Sequence, residues 1–127
     1  MSQTTSNAGS QRVPVDLAVS RADKTLTLTY GDGTVHVLPA ELLRVFSPSA
    51  EVQGHTPDQR QVVGGRRHVG ILDLEPIGHY AVRIVFDDLH DTGIYSWDYL
   101  WELGQNQPAW WQSYEADLAR TGKRRDP

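Results

Sequence analysis

Chemistry in this chain has few residues to work with: five histidines (His36, His55, His68, His79 and His90), a surplus of carboxylates and no cysteine. No two histidines stand at the HxH or HxxxH spacing that puts two imidazoles on one strand or helix face. Strand pairing gathers them instead. If Val69–Pro76 runs antiparallel to Tyr80–Phe86, His79 falls at the closed end of that hairpin, and His68 meets the turn Asp87–His90 at the open end. His90, His68, Asp88 and Asp91, with Asp87 beside them, then form an imidazole–carboxylate set suited to iron(II), zinc or manganese. The competing reading is structural: His90 and Asp91 fix the turn through side-chain hydrogen bonds, and His68 is solvated.

Other chemistries have less to stand on. Without cysteine there is no thiolate nucleophile, no thiolate metal site and no disulfide. Serine is the remaining nucleophile, but no G-x-S-x-G elbow is present, and Ser47, Ser49 and His55 merely share one loop. Neither a Walker A nor a G-x-G-x-x-G pattern occurs, Gly31-Asp32-Gly33 being a turn. Arg60, Arg66 and Arg67 flank Gly64-Gly65 in a small basic loop, open to an anion or simply solvated. Trp97 and Trp101, four apart, read as core. Trp110 and Trp111 are neighbours, about 100° apart on a helix, so they cannot enter the same buried spot: either a wide amphipathic face buries both, or one of them sits at a partner surface, where tryptophan is enriched. Trp110, His55, Arg66 and Arg67 make up the candidate partner surface.

Length and charge narrow the class. The 127 residues suffice for one domain with its own core. No apolar run approaches the roughly 20 residues of a membrane span, and Met1–Gln11 lacks the apolar stretch of a secretory leader. The expected location is therefore cytoplasmic, with no membrane partner. Twelve basic against sixteen acidic residues give a net charge of −4, which opposes affinity for nucleic acid.

The elements follow from periodicity. Residues 1–12 are a polar tail without pattern, expected to be disordered. Val13, Val15, Leu17 and Val19 alternate as a first strand, with Pro14 placing its start at a sheet edge. Leu26, Leu28 and Tyr30 carry a second strand, Gly31-Asp32-Gly33 a hairpin turn, and Val35 and Val37 a third strand. Pro39 then opens a short helix through Leu42, Leu43 and Phe46. A long loop over 47–67 precedes an apolar strand ending at Pro76. Ile77-Gly78-His79 turns into a strand whose alternating Tyr80, Val82, Ile84 and Phe86 are expected in the core with Leu100. Ser96 is an N-cap, Gly104 fits the C′ position, and Pro108 opens a last helix closed by Gly122. Residues 123–127 are expected to fray. One internal echo crosses the chain. Leu28–Leu43 and Ile84–Leu100 both read as strand, acidic turn, strand, helix. The expected fold is a single α+β domain over 13–122, an antiparallel sheet built from β-hairpins with short helices, and C-terminal helices packed on one face.

Three stretches carry a family resemblance: Ser47-Pro48-Ser49-Ala50-Glu51-Val52-Gln53-Gly54-His55, Pro76-Ile77-Gly78-His79-Tyr80-Ala81-Val82, and Phe86 through Leu100 with its Asp87-Asp88-Leu89-His90-Asp91-Thr92-Gly93 turn. With these the chain resembles the gamma-butyrobetaine hydroxylase-like N-terminal domain family over about Val15–Gly104. The resemblance implies a domain with no activity of its own. In the hydroxylases the facial triad of the iron(II)/2-oxoglutarate centre lies in the following domain, and in plastids this domain type is fused to Mrp-type iron–sulfur carrier ATPases. The resemblance also implies a zinc site of three cysteines, patterned C-x-C-x-x-C after a short helix, and one histidine. Those positions fall here on Ser47, Ser49, Val52 and His90, so three of the four ligands are gone and no structural zinc is expected.

The function expected is that of a small non-enzymatic binding or adaptor domain, read as standing alone. Its partner would be another protein, a component of iron–sulfur assembly or an iron-dependent enzyme. The alternative is a metal-binding protein that holds iron or another divalent ion through His90 and the nearby carboxylates. No obligatory cofactor is expected.

Overall fold

The computed structural model describes residues 12–53 and 61–127. The tail reading for 1–11, and His55, lie outside the described residues. Two three-stranded antiparallel sheets form the framework, each a meander in sequence order. The first joins β1 (Asp16–Ser20), β2 (Thr25–Thr29) and β3 (Val35–Pro39). Helix α1 (Ala40–Val45) follows without a linker, then the single turn α2 (Ala50–Gln53). The second joins β4 (Ile71–Ile77), β5 (Ala81–Phe86) and β6 (Ile94–Ser96), again followed at once by a helix, α3 (Trp97–Gln105), and then by α4 (Gln107–Thr121). The sequence echo is thus an architectural one, and the single sheet expected is two.

Each meander buries alternate side chains. Leu26 and Leu28 of β2 are fully buried and pair with Leu38 and His36 of β3. Val35 and Val37, expected to carry that strand, face outward at 53% and 50% exposure. Pairing register, not hydropathy, decides which face of β3 is inside. In β5, Val82, Ile84 and Phe86 are buried as expected, but Tyr80 precedes the strand in the hairpin turn and is 54% exposed. Val13 and Val15 lie before β1 and are exposed as well. One apolar cluster spans both sheets and the helices, from Leu26, Leu28 and Leu38 through Ile84 and Phe86 to Leu103, Tyr114 and Leu118.

The helices are stopped and started by local chemistry. Ser96 caps α3, its Oγ accepting from Tyr99 N at 3.1 Å. Gly104, expected just past the end of α3, lies inside it. It serves packing, since a Cβ there would stand 2.3 Å from His36 Cδ2. Gly122 ends α4 in the left-handed conformation. Beyond it, residues 123–127 dock rather than fray: Gly65 N donates to Arg124 O and Arg67 N to Arg125 O. Among the described residues no helix is long and apolar enough to cross a membrane.

Candidate functional site

The chemistry-bearing residues meet where α1 and α2 of the first half face the β5–β6 turn of the second. In that turn Leu89 N donates to Phe86 O, Phe86 N to His90 O, and His90 N to Asp88 Oδ1 at 3.1 Å. Leu89 takes a positive φ of 72°, so the chain reverses sharply and turns the His90 ring inward. His90 is buried, with Nε2 standing 2.9 Å from Ser47 Oγ and 3.4 Å from Ser49 Oγ. Both serines are buried, and Ser49 N also donates to Ser47 Oγ. Gly93 makes room for this approach, because a Cβ there would lie 2.5 Å from Ser47 Oγ. Tyr95, fully buried, donates its hydroxyl to Leu43 O, and burial pushes its phenol far above its ordinary value despite a hydrogen bond with Ser47.

Asp88 sits between two guanidinium groups. Arg44 Nε donates to Oδ2 at 2.8 Å, and Arg66 Nε lies 2.7 Å from the same oxygen. The Arg66 angle does not satisfy a hydrogen bond, so that contact is chiefly Coulombic. Burial alone would raise the Asp88 carboxyl, but the His90 N–H, Arg44 and Arg66 together hold it below its ordinary value. The arrangement corrects the expected metal cluster. Asp88 is committed to arginines, His90 points into the serines, and His68 is exposed. Asp91 is exposed as well, its backbone carbonyl accepting from Arg83. Among the described residues no three His, Cys, Asp or Glu side chains gather in a metal-holding group. The β4–β5 hairpin pairs as expected, but pairing fixes backbone proximity and not the direction in which a ring points.

The family model described as gamma-butyrobetaine hydroxylase-like, N-terminal, matches residues 17–101. The chain belongs to this family. No curated protein matches it. Two protein structures solved in solution by NMR are similar to it. One is 48% identical with a TM-score of 0.80, covering 92% of each chain, and the other is 38% identical with the same TM-score, covering 98% of this chain and 92% of its own. A crystal structure of a protein of unknown function from Acidithiobacillus ferrooxidans, assigned to the DUF971 family, is 33% identical with a TM-score of 0.62, over 73% of this chain and 93% of that one.

Within the gamma-butyrobetaine hydroxylase-like N-terminal family, the four positions of the implied zinc site bear on Ser47, Ser49, Val52 and His90. Ser47, Ser49 and His90 come into mutual contact, and Val52 is buried in α2, its N–H donating to Ser49 O. The donor set is two hydroxyls, one imidazole and an isopropyl group, which does not fit zinc. A hydrogen-bonded node occupies the place instead.

The candidate partner surface is altered by the same packing. Arg66 is drawn to Asp88 and to the carbonyls of Gly64 and Gly65, and Arg67 pairs with Asp126. Trp110 is half-buried, its ring 5.3 Å from Phe46 and 6.0 Å from Tyr99, on the wall of a groove that Gln53 and Ser113 complete. A further group was missed from sequence. Glu41, buried in α1, is held bidentately by Arg125 at 2.9 and 2.8 Å, and the same guanidinium lies 5.0 Å from the Trp111 ring. No local motif joins residues 84 positions apart, though an Arg opposite a glutamate on an apolar helix was a signal in principle.

Proposed function

We propose that this domain is a small non-enzymatic binding module that docks a protein partner over the Trp110 groove. One observation supports the reading above others: among the described residues, the serine–histidine set and the Asp88 carboxylate are engaged inside the fold. Ser47, Ser49 and His90 are buried against one another, and Asp88 is neutralised by Arg44 and Arg66. A nucleophile without access to substrate does not act on one. At the surface lies a groove of about 260 Å³ walled by Phe46, Tyr99 and Trp110, an aromatic set of the kind enriched at binding hot spots. The contexts implied by the family resemblance make the partner a component of iron–sulfur assembly or an iron-dependent enzyme, in a cytoplasmic setting.

The test is a photo-reactive residue placed at Ser113, beside Trp110, in native lysate, with Thr27 on the outer face of β2 as control. A crosslink from 113 to an iron-enzyme or iron–sulfur assembly component, lost on Trp110→Ala, supports the reading. Equal products from both positions, or products indifferent to Trp110→Ala, refute it.

A further inference from the structure

On the other side of α4, Arg125 is bound as a ligand would be. Glu41 is buried, only 6% exposed, and its carboxylate takes the guanidinium through two parallel hydrogen bonds. Trp111 supplies the ring beneath it. This is the geometry by which proteins recognise arginine: a planar fork against a carboxylate, with an aromatic face for stacking. The neighbouring side chain is matched too, since Asp126 pairs with Arg67. Backbone donors at Gly65 and Arg67 fix the carbonyls of Arg124 and Arg125.

The seat is shaped for close approach. A Cβ on Gly64 would lie 2.9 Å from Arg124 O, and Gly65 adopts a φ of 71°, a conformation that favours glycine. The Gly64–Gly65 pair, expected in a loop open to an anion or simply solvated, is where an extended segment lies down. Gly122, left-handed, turns the chain out of α4 into that segment, with Gly122 N donating to Ala119 O and Lys123 N to Leu118 O. Beside the guanidinium a cavity of roughly 460 Å³ extends between Pro39, Leu42, Pro108 and Trp111. Residues 123–127 leave it unfilled, so the seat has room for a longer occupant.

We infer that Glu41, Trp111, Arg67 and the Gly64–Gly65 backbone form a peptide-binding site for an extended segment of a partner protein carrying Arg-Asp, which the chain's own Arg125-Asp126 fills in cis. Charge complementarity selects that occupant: arginine to Glu41, aspartate to Arg67. The site does not depend on the docking face at Trp110.

The probe is a fluorescent, end-blocked peptide, Gly-Lys-Arg-Arg-Asp-Pro, titrated into the native chain and into Arg125→Ala, with folding followed by circular dichroism. The Arg125→Ala protein stays folded and binds the peptide at least tenfold more tightly than the native chain, where the cis segment competes. Glu41→Gln in the Arg125→Ala background removes binding, and a peptide with lysine for both arginines binds at least tenfold more weakly. An unfolded Arg125→Ala protein would show the segment to be part of the core and overturn the proposal. So would a folded one that ignores the peptide, or that binds the lysine peptide equally well. Dimers of the native chain, formed by exchange of residues 123–127, would assign the seat to a second copy and overturn the heterologous reading.

Discussion

Replacing Ser47, Ser49 and Val52 together by cysteine tests the node most severely. In tetrahedral zinc a thiolate at about 2.3 Å and an imidazole nitrogen at about 2.0 Å stand roughly 3.6 Å apart. The serine oxygens already lie 2.9 and 3.4 Å from His90 Nε2, so sulfurs need move outward by less than about 1 Å to share a metal with it. Gly93 leaves the space beside residue 47 open to the larger atom. The triple variant is expected to hold one zinc per chain after dialysis and to give thiolate-to-metal charge-transfer bands with cobalt(II), while the native chain holds none. With zinc at a thousandfold its dissociation constant, linkage adds about 4 kcal/mol to stability, which a chelator should remove from the variant alone. A folded triple variant without metal would mean that 47–53 is not in register with the ligand positions. Stoichiometric zinc in the native chain would refute the donor-set argument outright.

Three further outcomes follow from the same packing. Asp88→Asn strands the buried Arg44 and should cost about 3 kcal/mol in denaturant melts at neutral pH. Because the Asp88 carboxyl is held below its ordinary value, its contribution is present above about pH 4 and lost as pH falls through the lowered value, so the variant should also show a shallower acid limb. The His36 imidazole lies below its ordinary value through burial, with Arg12 adding repulsion. Its neutral form is favoured by folding, so its contribution should decline as pH drops below about 6.5, and His36→Phe should flatten that part of the thermal-melt profile. Phe86→Ala, at a fully buried position, should cost about 3–5 kcal/mol. Tyr80→Ala, at one half-exposed, should cost under about 0.5 kcal/mol. Equal losses in urea melts would contradict the observed start of β5.

The elements were legible because their signals are local. Alternation marked β2 and β5, Ser96 marked the start of α3, and Gly122 the end of α4. Side-chain direction was not local. Val35 and Val37 are more apolar than His36, yet the pairing of His36 with Leu28 turns the imidazole inward. Tyr80 continued an alternation that the hairpin turn had already broken. At the site, Ser47 and Ser49 meet His90, whereas the acidic turn suggested a cluster that Arg44 and Arg66 dissolve. Arginines remote in sequence neutralised carboxylates that composition counted as free. Residues 123–127 read as a charged, fraying end, and their partners at 41 and 64–67 leave no trace in that pentapeptide.

The node also raises a question of energy that the duplicated architecture answers. Two meander–helix units must be held together at α1 and the β5–β6 turn. A structural zinc would contribute on the order of 10 kcal/mol or more to such a junction, whereas one hydrogen bond contributes about 1 kcal/mol net. The serine–histidine contacts therefore cannot replace a metal by themselves. They are joined by tyrosine hydroxyls that reach back across the junction, Tyr95 to Leu43 O and Tyr99 to Phe46 O, and by the Arg44–Asp88 pair. Leu43, Val45 and Phe86 are buried in the same apolar cluster that spans the two units. The work of one metal is divided among several weak contacts around a shared core, each set by a residue type compatible with the absence of cysteine. Loss of any one of them weakens the junction, while loss of Asp88 alone also leaves the Arg44 charge buried within it.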